Sequence, residues 1–127
     1  MKLRLQFNSI RLRLKQTEVA RFAQTGRLEE KIIFATADGE TFHYVLEATD
    51  TVSSPRVTVT TNGIVVQVPI SAALRWVYTG QVGIGGEQTI TGQANLRILI
   101  EKDFACVDGT EEQNADTFPN PLARTNC

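Results

Sequence analysis

The chain repeats itself at a spacing of 54 residues: Asn8-Ser9-Ile10 returns as Asn62-Gly63-Ile64, Thr25-Gly26 as Thr79-Gly80, and Leu46-Glu47 as Ile100-Glu101. A period of this length marks a supersecondary unit that cannot bury its apolar face alone and needs its neighbour. Only six positions are identical when residues 3–50 are set against 57–104. The weight lies in which local features coincide. Each copy opens with a short alternating strand carrying Leu3 and Leu5, or Val57 and Val59. A two-residue turn follows, Asn8-Ser9 or Asn62-Gly63, of the residue types that tolerate positive φ in a tight hairpin. Then comes a second alternating strand with Ile10, Leu12 and Leu14, or Ile64, Val66 and Val68.

Thr17 and Ser71 are the expected helix N-caps, because a hydroxyl there accepts a bond from an orphan N–H. The helices present Val19, Phe22 and Ala23, or Ala73, Trp76 and Val77, at the i, i+3, i+4 spacing of a buried face. Trp76 therefore reads as core. Gly26 and Gly80 stand where a helix ends in the left-handed conformation. Two further strands are expected near 28–35 and 41–48, and again near 82–90 and 95–102. Each copy is thus β-β-α-β-β. The expected fold is α+β: a tandem duplication with eight mainly antiparallel strands, two short helices and an irregular C-terminal tail. The strands close as a barrel or form a strongly curved sheet, since closure removes exposed edges. The chain reads as a single domain over 1–127, with repeat 1 at about 1–54, repeat 2 at about 55–104 and a tail over 105–127.

Counted from the second strand, the order is β-α-β-β-β taken twice with a permuted end. That order is similar to the CYTH-like tunnel barrels, which handle triphosphates and related anions. Their alternating N-terminal glutamates are replaced here by Lys2-Leu3-Arg4-Leu5-Gln6.

Composition excludes more than it assigns. The 42% hydrophobic and 21% charged content over 127 residues is that of a small globular protein. No run of 18 apolar residues spans a membrane. The opening Met1-Lys2-Leu3-Arg4 is no secretory signal, so the expected location is the cytoplasm. Net charge is −1 but uneven. Residues 1–34 carry eight Lys/Arg against three Glu, whereas residues 101–127 carry two against six acids. An anion site at the front, or docking of the tail on it, accounts for the asymmetry. A pI near 5.8 disfavours bulk nucleic-acid binding.

Three groups of residues carry candidate chemistry. The first is a basic hairpin face, Arg4, Arg11, Arg13 and Lys15. A turn at Asn8-Ser9 sets Gln6 opposite Arg11 and Arg4 opposite Arg13. Like charges facing each other cost stability, so the cluster calls for a reason. One reason is a phosphate or carboxylate held in a guanidinium fork. An anion-binding barrel requires Arg4, Arg11 and Arg13 to converge on an enclosed cavity, and fails if they point into bulk solvent on an open sheet. The other reading is a solvated edge hairpin whose cations discourage aggregation.

The second group is the tail, with Cys106, Asp108, Asp116 and Cys127 as candidate metal or thiol residues and Asp103 as a companion. A Cys106–Cys127 bridge would close about 20 residues and contribute roughly 3 kcal/mol in the entropy model. Thiolates favour zinc or copper(I), and carboxylates harder ions. The alternative is a cap anchored by Phe104 and Phe118. The third is His43, the only histidine, read as a surface strand residue without an evident carboxylate partner. Gly83-Ile84-Gly85-Gly86 precedes no helix and reads as a bulge or turn.

The stretch Glu101-Lys102-Asp103-Phe104-Ala105-Cys106-Val107-Asp108, followed by Asp116 and Pro119-Asn120-Pro121, resembles the end of an uncharacterised family of small bacterial proteins. The run Asn8-Ser9-Ile10-Arg11-Leu12-Arg13-Leu14 resembles their start. This resemblance implies no catalytic residue or cofactor. The sequence reading is therefore a small binding or interaction module rather than a recognisable enzyme. Its partner is a protein or a small anion, with no membrane, an improbable nucleic-acid partner, and room for a homodimer.

Overall fold

The computed structural model describes residues 1–35, 40–92, 94–105 and 110–119. Eight strands and two helices alternate as the sequence pattern predicts. They are β1 (Lys2–Gln6), β2 (Ser9–Leu14), α1 (Gln16–Thr25), β3 (Arg27–Ile33), β4 (Thr41–Thr49), β5 (Arg56–Thr60), β6 (Gly63–Pro69), α2 (Ile70–Tyr78), β7 (Gly83–Thr89) and β8 (Asn95–Lys102). A single turn, α3 (Glu111–Asn114), follows.

The strands form two four-stranded sheets, ordered β1-β2-β8-β7 and β3-β4-β6-β5. This corrects the barrel expectation: among the described residues no ladder joins the sheets into a closed barrel. Each sheet is mixed. Its two hairpins are antiparallel, and one central parallel pair joins them, β2 with β8 and β4 with β6. Each half of the chain therefore gives one hairpin to each sheet. The sheet edges β5 and β7 meet through side chains instead of a ladder. The Val57 N–H donates to Gln88 Oε1 at 2.8 Å, and a Cβ added to Gly86 would lie 3.0 Å from Pro55 Cδ.

One apolar core serves both sheets and both helices. Ile10, Leu12 and Leu14 of β2 and Ile98 and Ile100 of β8 bury against Leu46, Val66 and Val68 of the second sheet. Phe22 of α1 meets Trp76 of α2 edge-on, with ring centroids 6.2 Å apart. Such aromatic pairs add about 1 kcal/mol beyond their area.

The 54-residue spacing holds across the central pairs. Ser9 stands beside Arg97, and Gly63 beside His43, so both partners differ by 54. It fails at one element. Arg27 pairs with Glu47 and Gly83 with Glu101, so β7 is displaced from β3 by 56 residues. The two additional residues lie between α2 and β7 and are offset by a β7–β8 connection two residues shorter than that between β3 and β4, so the 54-residue spacing resumes at β8.

Four local expectations need correction. The hairpin turn is Phe7-Asn8, not Asn8-Ser9, because Gln6 pairs with Ser9 and Arg4 with Arg11. Tertiary contacts set that register: Asn8 Nδ2 donates to the Asn95 carbonyl at 2.8 Å, and the Arg97 N–H donates to the Asn8 carbonyl at 3.0 Å. Thr17 and Ser71 lie inside the first turns of their helices, after Lys15 and Pro69 at the N-cap positions. Gly26 takes the left-handed φ of 71° that a helix end requires, but α2 ends on extended Thr79, not on a left-handed Gly80. Gly83-Ile84-Gly85-Gly86 is unbroken strand, paired residue by residue with β8.

Candidate functional site

The outer face of the first sheet is where the charged side chains gather. Alternation sends Ile10, Leu12 and Leu14 inward, so Arg11 and Arg13 point out. The parallel register then sets Glu101 of β8 beside Arg13. One oxygen of that carboxylate, Glu101 Oε1, accepts from Arg11 Nε at 2.7 Å and from Arg13 Nε at 2.6 Å. Glu101 is only 12% exposed. Charge-assisted bonds of this length are among the stronger ones a side chain makes. Both guanidinium groups are thereby fixed by their inner nitrogen, and no bond within the described structure occupies their Nη ends.

Arg4 sits directly across from Arg11 and has no ion-pair partner among the described residues. Lys2, opposite Arg13, bonds Asp103 Oδ2 at 2.9 Å. Lys15 stands apart at the N-cap of α1. Of the four predicted cations, the structure brings Arg4, Arg11 and Arg13 together. It opens them to the surface instead of enclosing them, so the tunnel version of an anion site is not met.

Beside this cluster the face is hollow. Gly85 of β7 and Leu99 of β8 are neighbours on it, and Gly85 contributes no side chain. The hollow has a volume of about 540 Å³ and is lined by Ser9, Arg11, Gly85, Glu87, Arg97 and Leu99 among others. Arg97 was not singled out in the sequence. Its signal was the 54-residue spacing, which pairs it with His43, and the alternation of β8, which puts it on the face of Glu101.

The equivalent face of the second sheet is different. Glu47 stands at the position of Glu101, but its neighbour is Gln67, whose Nε2 donates to Glu47 Oε2 at 3.2 Å. Val65 replaces Arg11. His43 is not partnerless as expected: its Nδ1 lies 3.2 Å from Glu29 Oε2 and its Nε2 lies 3.1 Å from Thr41 Oγ1. Hydrogen bonds from His43 and Arg27 hold the Glu29 carboxyl below its ordinary pKa.

Cys106, Asp108 and Cys127 lie outside the described residues. Asp116 caps α1. Its carboxylate accepts from the Thr17 N–H at 3.3 Å and from the Thr17 hydroxyl at 2.5 Å, and its carbonyl accepts from the Gln16 N–H at 3.0 Å. The anion thus sits on the positive end of the helix. Among the described residues, no group of three or more His, Cys, Asp and Glu is placed to hold a metal ion. Asp116→Ala is expected to lower the unfolding free energy by about 1 kcal/mol, read by urea denaturation. An unchanged midpoint would mean that water replaces the cap without cost.

Phe104 and Phe118 meet with centroids 5.9 Å apart. Lys102 is buried beneath Phe118, 5.6 Å from its ring centroid, and donates to the Thr79 carbonyl at 2.7 Å. It thereby closes the C-terminal end of α2 with a cation. Burial pushes its ammonium pKa down.

No helix among the described residues is long and apolar enough to cross a membrane. No curated protein and no solved structure matches the chain. The chain belongs to a family of unknown function (DUF7009), which matches residues 1–122.

Proposed function

We propose that this family member is a small binding module that captures an anionic group on the outer face of the first sheet. The observation that supports this most is the single Glu101 oxygen shared by Arg11 and Arg13. A carboxylate neutralises only one of two guanidinium charges. It also orients both, and it leaves Arg4 opposite them unpaired. A partner bringing two or more anionic oxygens satisfies the excess positive charge and engages several guanidinium groups at once. The second sheet carries the same glutamate without the arginines, so the site belongs to the first sheet, where a hairpin of each half contributes to it.

The test uses pyrophosphate as probe at low ionic strength, followed by NMR shifts of the arginine Nε–H groups and of the β1 and β2 amides. Saturable shifts are expected, with affinity falling as salt rises. The Arg4→Ala/Arg11→Ala pair should weaken binding about tenfold or more. Shifts without saturation, or equal affinity in the double variant, would remove the proposal.

We further infer that the two halves arose by duplication of a β-β-α-β-β unit. Support comes from the shared 54-residue offset in the two central pairs and in the β1-β2 and β5-β6 hairpins, where Lys2↔Arg13 becomes Arg56↔Gln67. The sequence, at six identities, carries only part of that argument.

A further inference from the structure

We infer that the anionic group is the phosphate portion of a mononucleotide whose base stacks on Phe7; this rests on the anion-binding reading of the first sheet. Phe7 is 100% exposed and holds a φ of 49° in the turn between β1 and β2. Both properties are costly. A left-handed φ is uncommon outside glycine, asparagine and aspartate, and a bulky residue there is an outlier. A bare phenyl ring also gives up the stabilisation that burial would bring. The second hairpin holds Thr61 at the same place, without a positive φ. The first half thus keeps a large aromatic where neither backbone nor solvent favours it.

Its position is what makes it usable. Phe7 lines a groove of about 440 Å³ with Gln6, Asn8, Ser9, Asn95 and Arg97. Ser9 and Arg97 also line the 540 Å³ hollow that reaches Arg11 and Leu99. The two spaces share Ser9 and Arg97 in their walls, with the Phe7 ring on one and the Arg11 guanidinium on the other. Arg97 lines both and makes no ion pair among the described residues. Each part of a nucleotide finds its chemistry along these walls. A base stacks on an aromatic face in any orientation of its edge, phosphates take the arginine forks, and the sugar crosses the floor of Leu99 and Gly85. Gln6 offers its side-chain amide, and Ser9 and Asn95, which donate to the Gln6 carbonyl and to Glu87 Oε2, keep acceptor oxygens for hydroxyls and base edges. The size of the groove falls in the range of small-molecule sites. A chain of net charge −1 is poorly suited to a long polyanion, which commits the reading to a free nucleotide.

The experiment compares ADP, pyrophosphate and adenosine in one low-salt buffer, with the wild-type chain and Phe7→Asn. Asparagine tolerates the left-handed turn, so the variant removes the ring and keeps the hairpin. ADP is expected to bind about tenfold tighter than pyrophosphate, with an upfield ring-current shift of the adenine protons. In Phe7→Asn the ADP affinity should fall to that of pyrophosphate, whose own affinity should not move. Equal binding of ADP and pyrophosphate, unaffected by Phe7→Asn, would overturn the nucleotide inference and leave the anion site standing. Failure of both to bind would overturn the two together.

Discussion

Trp76→Ala is expected to lower the unfolding free energy by about 4 kcal/mol, the range for emptying a large aromatic site. The reason lies in where the ring sits. Trp76 is 0% exposed and meets Phe22 of the other helix edge-on. It also donates from Nε1 to the Val82 carbonyl at 3.0 Å, in the segment where the second half carries its two additional residues. One side chain therefore ties α2 to α1 and pins the start of β7. For a domain whose whole stability is about 5–15 kcal/mol, such a loss removes a large fraction of it. Trp76→Phe separates the contributions. The ring contact survives, the Nε1 bond does not, and the Val82 carbonyl keeps its bond from the Lys102 N–H. A loss of about 1–2 kcal/mol is then expected. Urea denaturation of both variants gives the comparison. Equal losses would show that the indole bond, not the packing, holds this end together.

Gly63→Ala is expected to cost about 3 kcal/mol, at the upper end for overpacking. A Cβ at Gly63 would lie 1.8 Å from the His43 carbonyl oxygen, with the His43 carbonyl carbon and nitrogen at 2.7 and 2.9 Å. These are backbone atoms in the central parallel pair of the second sheet, so they cannot swing aside as a flexible side chain would. The β4–β6 register has to shift to admit the methyl. Gly85→Ala is the matched control. It also lies on a strand, but its added Cβ would meet nothing closer than 3.9 Å. That variant should keep wild-type stability while filling the floor of the candidate groove. If Gly63→Ala and Gly85→Ala unfold at the same urea concentration, the close approach at His43 is wrong.

The two glycines also show how much of the site was legible. Both stood in the sequence as turn or bulge residues, because glycine's local meaning is backbone freedom. In the fold their role is absence of a side chain, one beneath a neighbouring strand and one beneath a hollow. Arg4, Arg11 and Arg13 are legible as a cluster, since period-2 alternation puts them on one face for any two-residue turn. Glu101 was not assigned to them. It sits some 90 residues away at the start of the acidic tail, and only the parallel pairing of β2 with β8 brings it between two guanidinium groups. His43 and Glu29 were separated for the same reason: their contact crosses a hairpin whose register no local signal states. From sequence Asp116 reads as a metal candidate, because carboxylates in an irregular tail look alike until one lands on a helix N-terminus.

Strand and helix identity, the inward faces of β2, β6, α1 and α2, and the 54-residue period were determined by the sequence itself, because alternation and 3.6-residue spacing are properties of neighbouring residues. The tertiary structure alone decided three things: that the halves exchange hairpins between two sheets instead of closing a barrel, that the first turn falls at Phe7-Asn8, and that one glutamate serves two arginines. Each of these depends on the free energy of burying two distant apolar faces together, and a local pattern is equally compatible with several partners until that burial selects one.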